Sequence, residues 1–130
     1  MNVFVADTMA IILWLEKRKL PQSVKAIFKK IESRETKLYV PAMVLAEVGY
    51  LSEKGRIDIN LQDVVDFINR HEKVSIHTLD IPTIMAAFEI NDIPELHDRL
   101  ISASGRALNV AVITNDPKIL ASEFVTSVWG

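Results

Sequence analysis

Short, unbroken apolar runs alternating with helical periodicity constrain this chain more than any other feature. Residues 2–6 (Asn-Val-Phe-Val-Ala), Lys37–Val40, Val74–Leu79 and Val110–Ile113 read as strands. Helices are expected between them. One covers Met9 to Glu16, and one begins behind Pro21 with Val24, Ile27, Phe28 and Ile31 at i, i+3, i+4, i+7 spacing. A third runs from Ala42 to about Lys54 and stops at Gly55, and a fourth follows the cap Asn60 with Leu61, Val64, Val65 and Ile68. A fifth opens at Asp80-Ile81-Pro82 and reaches about Ile90, and a sixth spans Glu95 to Leu108, closed by Asn109. A short helix after Pro117 and a strand-like tail from Phe124 to Trp129 finish the chain. Strands that are apolar on both faces and alternate with helices specify an α/β fold, with a mainly parallel sheet covered on both sides.

At 130 residues the chain is expected to form a single domain, residues 1–130, with no linker, repeat or low-complexity segment. Apolar residues make up 49% of it, enough for a substantial core, which argues against disorder. No apolar run approaches the roughly 20 residues that would span a bilayer, so no membrane partner is expected. Met1-Asn2-Val3-Phe4-Val5-Ala6-Asp7 lacks the charged start of a signal peptide. With no cysteine, disulfides, thiol catalysis and thiolate metal sites are excluded, and a cytoplasmic location fits.

The net charge of −2 conceals an asymmetry. Eight of the 15 basic residues (Lys17, Arg18, Lys19, Lys25, Lys29, Lys30, Arg34 and Lys37) lie in one segment opposed only by Glu32 and Glu35, giving it +6 and the remainder −8. Such a division suits a protein with one face toward a polyanion and another toward cations. A solvated helix surface is the alternative.

Among the seventeen acids, four resist a surface explanation. Glu47 has Met43, Val44, Tyr50 and Leu51 as its helical neighbours, so it projects from a stripe expected to face the protein. A buried carboxylate there must be paired, protonated or bound to metal; a salt bridge to Arg or Lys, or a rim position, is the alternative. Asp7 and Asp116 follow strands, where ligands bind in open α/β sheets, although either could be only a helix cap. Asp98 lies at the edge of the stripe made by Leu96, Leu100 and Ala103, with a surface ion pair to Arg99 as its alternative. His71 and His77 are expected at the surface or on a strand, and His97 is expected to point away from Asp98.

The strand ending in Asp7-Thr8, the helix carrying Val44-Leu45-Ala46-Glu47-Val48, the block Leu96-His97-Asp98-Arg99-Leu100-Ile101-Ser102-Ala103, and Ile113-Thr114-Asn115-Asp116-Pro117-Lys118-Ile119 together resemble the PIN-domain ribonucleases. In size the chain is similar to the toxin subunits of VapBC-type toxin–antitoxin pairs. The resemblance spans essentially the whole chain. It implies a three-layer α/β/α fold and an endoribonuclease with magnesium or manganese held by Asp7, Glu47, Asp98 and Asp116, supported by Thr8, Thr114 and Asn115. It further implies an antitoxin partner and a homodimer. The apolar balance, with Trp14 and Trp129, is compatible with a self-association surface and equally with core. Gly105 departs from the family pattern, where alanine is more usual, and is expected to loosen its helix by roughly 0.5–1 kcal/mol.

Four carboxylates suit phosphodiester hydrolysis, because hard divalent cations prefer oxygen ligands and can activate water while neutralising phosphoryl charge. Two unit charges about 4 Å apart repel by roughly 4 kcal/mol at an effective dielectric near 20, so such a cluster takes up protons or a cation. Lys25, Lys29 and Lys30 are candidates for leading single-stranded RNA toward it. A non-catalytic PIN-like adaptor that binds RNA or a protein is the competing reading. Nothing resembles a nucleotide-binding glycine loop, and Met9 stands where a haloacid-dehalogenase-type phosphatase would need a second acid.

Overall fold

The fold is described from a computed structural model, which covers residues 2–130. The elements run β1 (Val3–Ala6), α1 (Thr8–Leu15), α2 (Gln22–Glu32), β2 (Lys37–Pro41), α3 (Ala42–Glu53), α4 (Leu61–Arg70), β3 (Val74–His77), α5 (Ile81–Glu89), α6 (Leu96–Leu108), β4 (Ala111–Ile113), α7 (Pro117–Leu120) and β5 (Ser127–Val128). The five strands form one parallel sheet in the order β3-β2-β1-β4-β5. Parallel pairing requires a crossover between strands, and the helices supply it on both faces. Ile11, Val24, Phe28, Val44, Val64 and Phe67, from α1 to α4, fill one side. Ala86, Ala87, Leu100 and Ala103, from α5 and α6, and Ile90, which caps α5, fill the other with Val5 and Val112. The result is a three-layer α/β/α fold. No helix among the described residues is long and apolar enough to cross a membrane.

Two strands are shorter by two residues or more than the apolar runs suggest. β3 stops at His77 because its partner β2 ends opposite it, at Pro41, where α3 begins. β5 is confined to the two residues that meet Val112 and Ile113. The expected caps are present: Asn60 forms a reciprocal capping box with Asp63, Asp80 accepts from the Thr83 N–H, and Asn109 closes α6 with φ of 57°. Less expected are Lys17 and Arg34, which follow α1 and α2 with φ of 56° and 70°. Glycine is the usual residue in that left-handed position, and a side chain there costs about 1 kcal/mol.

Gly105 has a packing role that the expected loosening of α6 did not foresee. A Cβ on Gly105 would overlap the Val112 Cγ2 methyl and lie 3.0 Å from the Val110 carbonyl. The glycine lets α6 approach β4 closely. The tryptophans contribute to packing: Trp14 stacks on buried Phe28 with ring centroids 5.0 Å apart, and Trp129 packs against the same core. Exposed apolar side chains cluster on α5, where Ile81, Ile84, Met85 and Phe88 are 74%, 38%, 66% and 64% exposed and share one helix face.

Strand order explains where a site can form. The chain moves from β1 to β2 to β3 in one direction, then crosses back to place β4 on the other side of β1. The carboxyl ends of β1 and β4 therefore flank the point where winding reverses, a natural crevice for ligands in open α/β sheets. Asp7 follows β1 directly, and Thr114-Asn115-Asp116 follow β4.

Candidate active site

Asp7 is both a cap and a pocket residue. Its N–H donates to the Ile113 carbonyl at 3.0 Å, locking it beside β4, and its Oδ1 accepts from the Ala10 N–H at 2.8 Å. It is only 7% exposed. Burial pushes its pKa from 3.8 up to about 6; bonds from the Thr114 hydroxyl and the Ala10 N–H act against this, and repulsion by Asp116 and Glu47 adds to it. Asp116 likewise caps α7, accepting from the Lys118 N–H at 2.8 Å, while its own N–H donates to Thr114 Oγ1 at 3.0 Å. Thr114 is fully buried and thus supports both strand-end acids. The capping explanation is correct for Asp7 and Asp116, and both residues also line the pocket.

Glu47 and Asp98 come from the helices that overhang this edge. The Thr8 hydroxyl donates to Glu47 Oε1, joining the first turn of α1 to α3. Among the described residues Glu47 has no Lys or Arg partner; the basic side chain within 4 Å is the imidazole of His97, with Nδ1 at 3.8 Å. The stripe around Glu47 is only partly buried, with Tyr50 58% exposed, so Glu47 sits on a cleft wall and not in a closed interior. Asp98 lies in the first turn of α6, whose cap Glu95 accepts the Asp98 N–H at 2.7 Å. Its expected alternative partner, Arg99, turns away to the Ile93 and Pro94 carbonyls. Burial first, then the negative charges of Asp116 and Glu95, a hydrogen bond shared with Asp116 and the charge of Glu47, raise the Asp98 pKa to about 7.

These four acids, with Thr8 and Asn115, line one open cleft of about 700 Å³. Among the described residues no Lys or Arg lines it. Its apolar wall includes Met9, Met43, Tyr50, Leu51 and Ile101. His97 also lines it, with Nδ1 3.3 Å from Glu95 Oε1 and 3.8 Å from Glu47 Oε2. Sequence reasoning missed His97 and Glu95. A cap three residues before Asp98 was a legible signal for Glu95, whereas nothing in the sequence gives the direction of the His97 ring. His77 sits on β3 and bonds Ser104 Oγ at 2.8 Å. Lys25, Lys29 and Lys30 do not line the acidic cleft; Lys25 lines a separate one, and Lys29 and Lys30 are exposed on α2.

The donor set favours a hard cation: carboxylates from four segments face one space that no Lys or Arg among the described residues lines, and two of them hold protons more tightly than usual. Among the described residues, however, no group of three or more His, Asp or Glu is arranged to hold a metal ion as it stands. The acids share a cleft without forming a finished cage.

Comparison with known proteins agrees with this architecture. A search of curated proteins found no relative by sequence. Among solved structures, the chain superposes on a chain of VapBC2 from Rickettsia felis, bound to a DNA fragment from its promoter, with a TM-score of 0.73 at 17% identity, covering 98% of this chain and 99% of that one. DNA-bound VapBC from Salmonella typhimurium gives 0.72 at 14% identity and 98% coverage of both chains, and FitAcB from Neisseria gonorrhoeae gives 0.61 at 17% and 95% of both. At such identities the likeness is one of fold. The sequence model of the PIN domain matches residues 4–123, nearly the full length, and the chain therefore belongs to the PIN-domain family.

Proposed function

We propose that this chain is a metal-dependent endoribonuclease and the toxin of a toxin–antitoxin pair, acting in the cytoplasm as a single PIN domain. The observation that carries the reading is the convergence of Asp7, Glu47, Asp98 and Asp116 on one cleft with no Lys or Arg among the described residues to neutralise them. The similarity in fold to chains of VapBC complexes supports the biological context.

Asp7, Glu47, Asp98 and Asp116 would hold Mg²⁺ or Mn²⁺, which supplies an acidified water and neutralises charge on the phosphoryl oxygens. The residues of the chain do the positioning. Asp7 is fixed by the Ala10 N–H and Asp116 by the Lys118 N–H, and the Thr8 hydroxyl fixes Glu47. Such bonds limit rotamer freedom before substrate arrives. Without the ion, burial and the neighbouring acids raise the Asp98 pKa to about 7, so a cation binding there would displace a proton. Asn115, exposed on the rim, offers an amide to phosphate oxygens.

An antitoxin would block the cleft most directly by presenting a cationic side chain to the acids, and the apolar stripe Ile81-Ile84-Met85-Phe88 on α5 suits a homodimer interface. The test is cleavage of single-stranded RNA with Mg²⁺ or Mn²⁺, with EDTA, and with Asp98→Asn. Cleavage that needs the ion and disappears in the folded variant supports the nuclease. RNA binding without cleavage under any of these conditions would replace it with an adaptor.

A further inference from the structure

A second cleft, of about 500 Å³, opens between the end of α1, the start of α2 and the end of α4. Lys17, Lys25 and Arg70 line it, together with Trp14, Phe67 and His71. Among the described residues none of these three cations has an acidic partner within 4 Å. Arg18 also lines the cleft but is engaged by Glu16 at 3.2 Å. Glu32, the acid in the lining, accepts from the Trp14 indole N–H at 3.0 Å and lies 3.7 Å from His71 Nε2. Its charge is thus turned to the aromatic wall, and the cationic excess stands.

Lys17 carries a second signal. It holds φ of 56°, where glycine would be more stable, and places a cation on the cleft. Arg34 adopts a similar backbone but pairs with Glu72. Trp14 is held by stacking on Phe28 at an interplanar angle of 11°. A fixed aromatic beside unpaired cations is the combination that grips single-stranded nucleic acid through its bases and phosphates. α1 connects the two clefts: Thr8 at its start lines the acidic one and Trp14 near its end lines the basic one, separated by about 9 Å of helix.

We infer that this basic cleft is a second RNA contact, which holds a single-stranded stretch of the substrate outside the cutting site. The inference takes RNA as substrate from the proposed function and adds the residues that grip it: Lys17, Lys25 and Arg70 for phosphates, Trp14 for a base. Each single-strand phosphate contact contributes about 0.7 to the salt slope, about fivefold in affinity at roughly 0.1 M salt. Lys25→Gln with Arg70→Gln, introduced into full-length Asp98→Asn, should weaken binding of a single-stranded oligoribonucleotide about 25-fold and lower the slope by about 1.4. Lys17→Gly should raise the melting temperature yet weaken binding about fivefold; a purely structural lysine would give only the first effect. RNA should also quench a tryptophan signal that Trp14→Phe removes.

Unchanged affinity and slope in these variants would overturn the cleft, as would an oligoglutamate that competes as well as RNA. The nuclease reading fails separately. If wild type cuts RNA while the double variant keeps its affinity and salt slope, only the cleft is refuted. Absence of cutting by the wild type, with the salt slope still dependent on Lys25 and Arg70, refutes only the nuclease.

Discussion

Asp7→Asn removes a buried negative charge with little change of shape. Asparagine is as good an N-cap as aspartate, so its side-chain oxygen can still accept the Ala10 N–H. What changes is the cost of ionisation. Asp7 has a pKa of about 6 in the fold against 3.8 for an ordinary aspartate. Between those values the folded protein binds more protons than the unfolded chain, so this residue's contribution to stability falls as pH rises from about 4 to about 6 and stays low above that. At 1.36 kcal/mol per pKa unit the cost approaches about 3 kcal/mol near pH 8. The metal-free variant should therefore be more stable than wild type by up to about 3 kcal/mol near pH 8, with the advantage vanishing below about pH 4. Urea titrations in EDTA at both pH values measure it, and near pH 8 the melting temperature should rise by several degrees. A variant equally stable as wild type, or less stable by the same amount at both pH values, would refute the reasoning: Asp7 would then be only a helix cap.

Mg²⁺ or Mn²⁺ should raise the melting temperature of wild type more than that of Asp7→Asn, because the ion relieves a repulsion the variant has partly lost; equal shifts would count against the acidic cleft. Gly105→Ala should destabilise by about 1–3 kcal/mol despite the better helix propensity of alanine, since its methyl meets Val112; a gain in stability in denaturant titration would contradict the close approach of α6 to β4. Met85→Glu with Phe88→Glu should leave the fold intact and shift sedimentation toward monomer; an unchanged sedimentation coefficient would remove α5 from any dimer interface.

Much of the site was legible because its signals are local. Asp7 and Asp116 stand at the ends of apolar strands, and Glu47 interrupts an apolar helical stripe, so period and position alone set them apart. For Asp7, capping and a place in the cleft are compatible: one oxygen closes the helix and the residue still lines the cleft. For Gly105 local reasoning had the wrong emphasis. Helix propensity gave a penalty, while the controlling contact is with Val112, on another element.

By itself, then, the sequence determined the alternation of buried strands and amphipathic helices, the caps at Asn60, Asp80 and Asn109, and the acids worth attention, since each depends on neighbours a few positions away. Tertiary structure decided the strand order that sets β4 beside β1, and with it the meeting of Asp7 and Asp116. It also turned His97 toward Glu47, left the α5 stripe uncovered, and gathered Lys17, Lys25 and Arg70 from separate segments into one cleft. Periodicity identifies which face of an element is apolar or charged, but only packing fixes what that face meets.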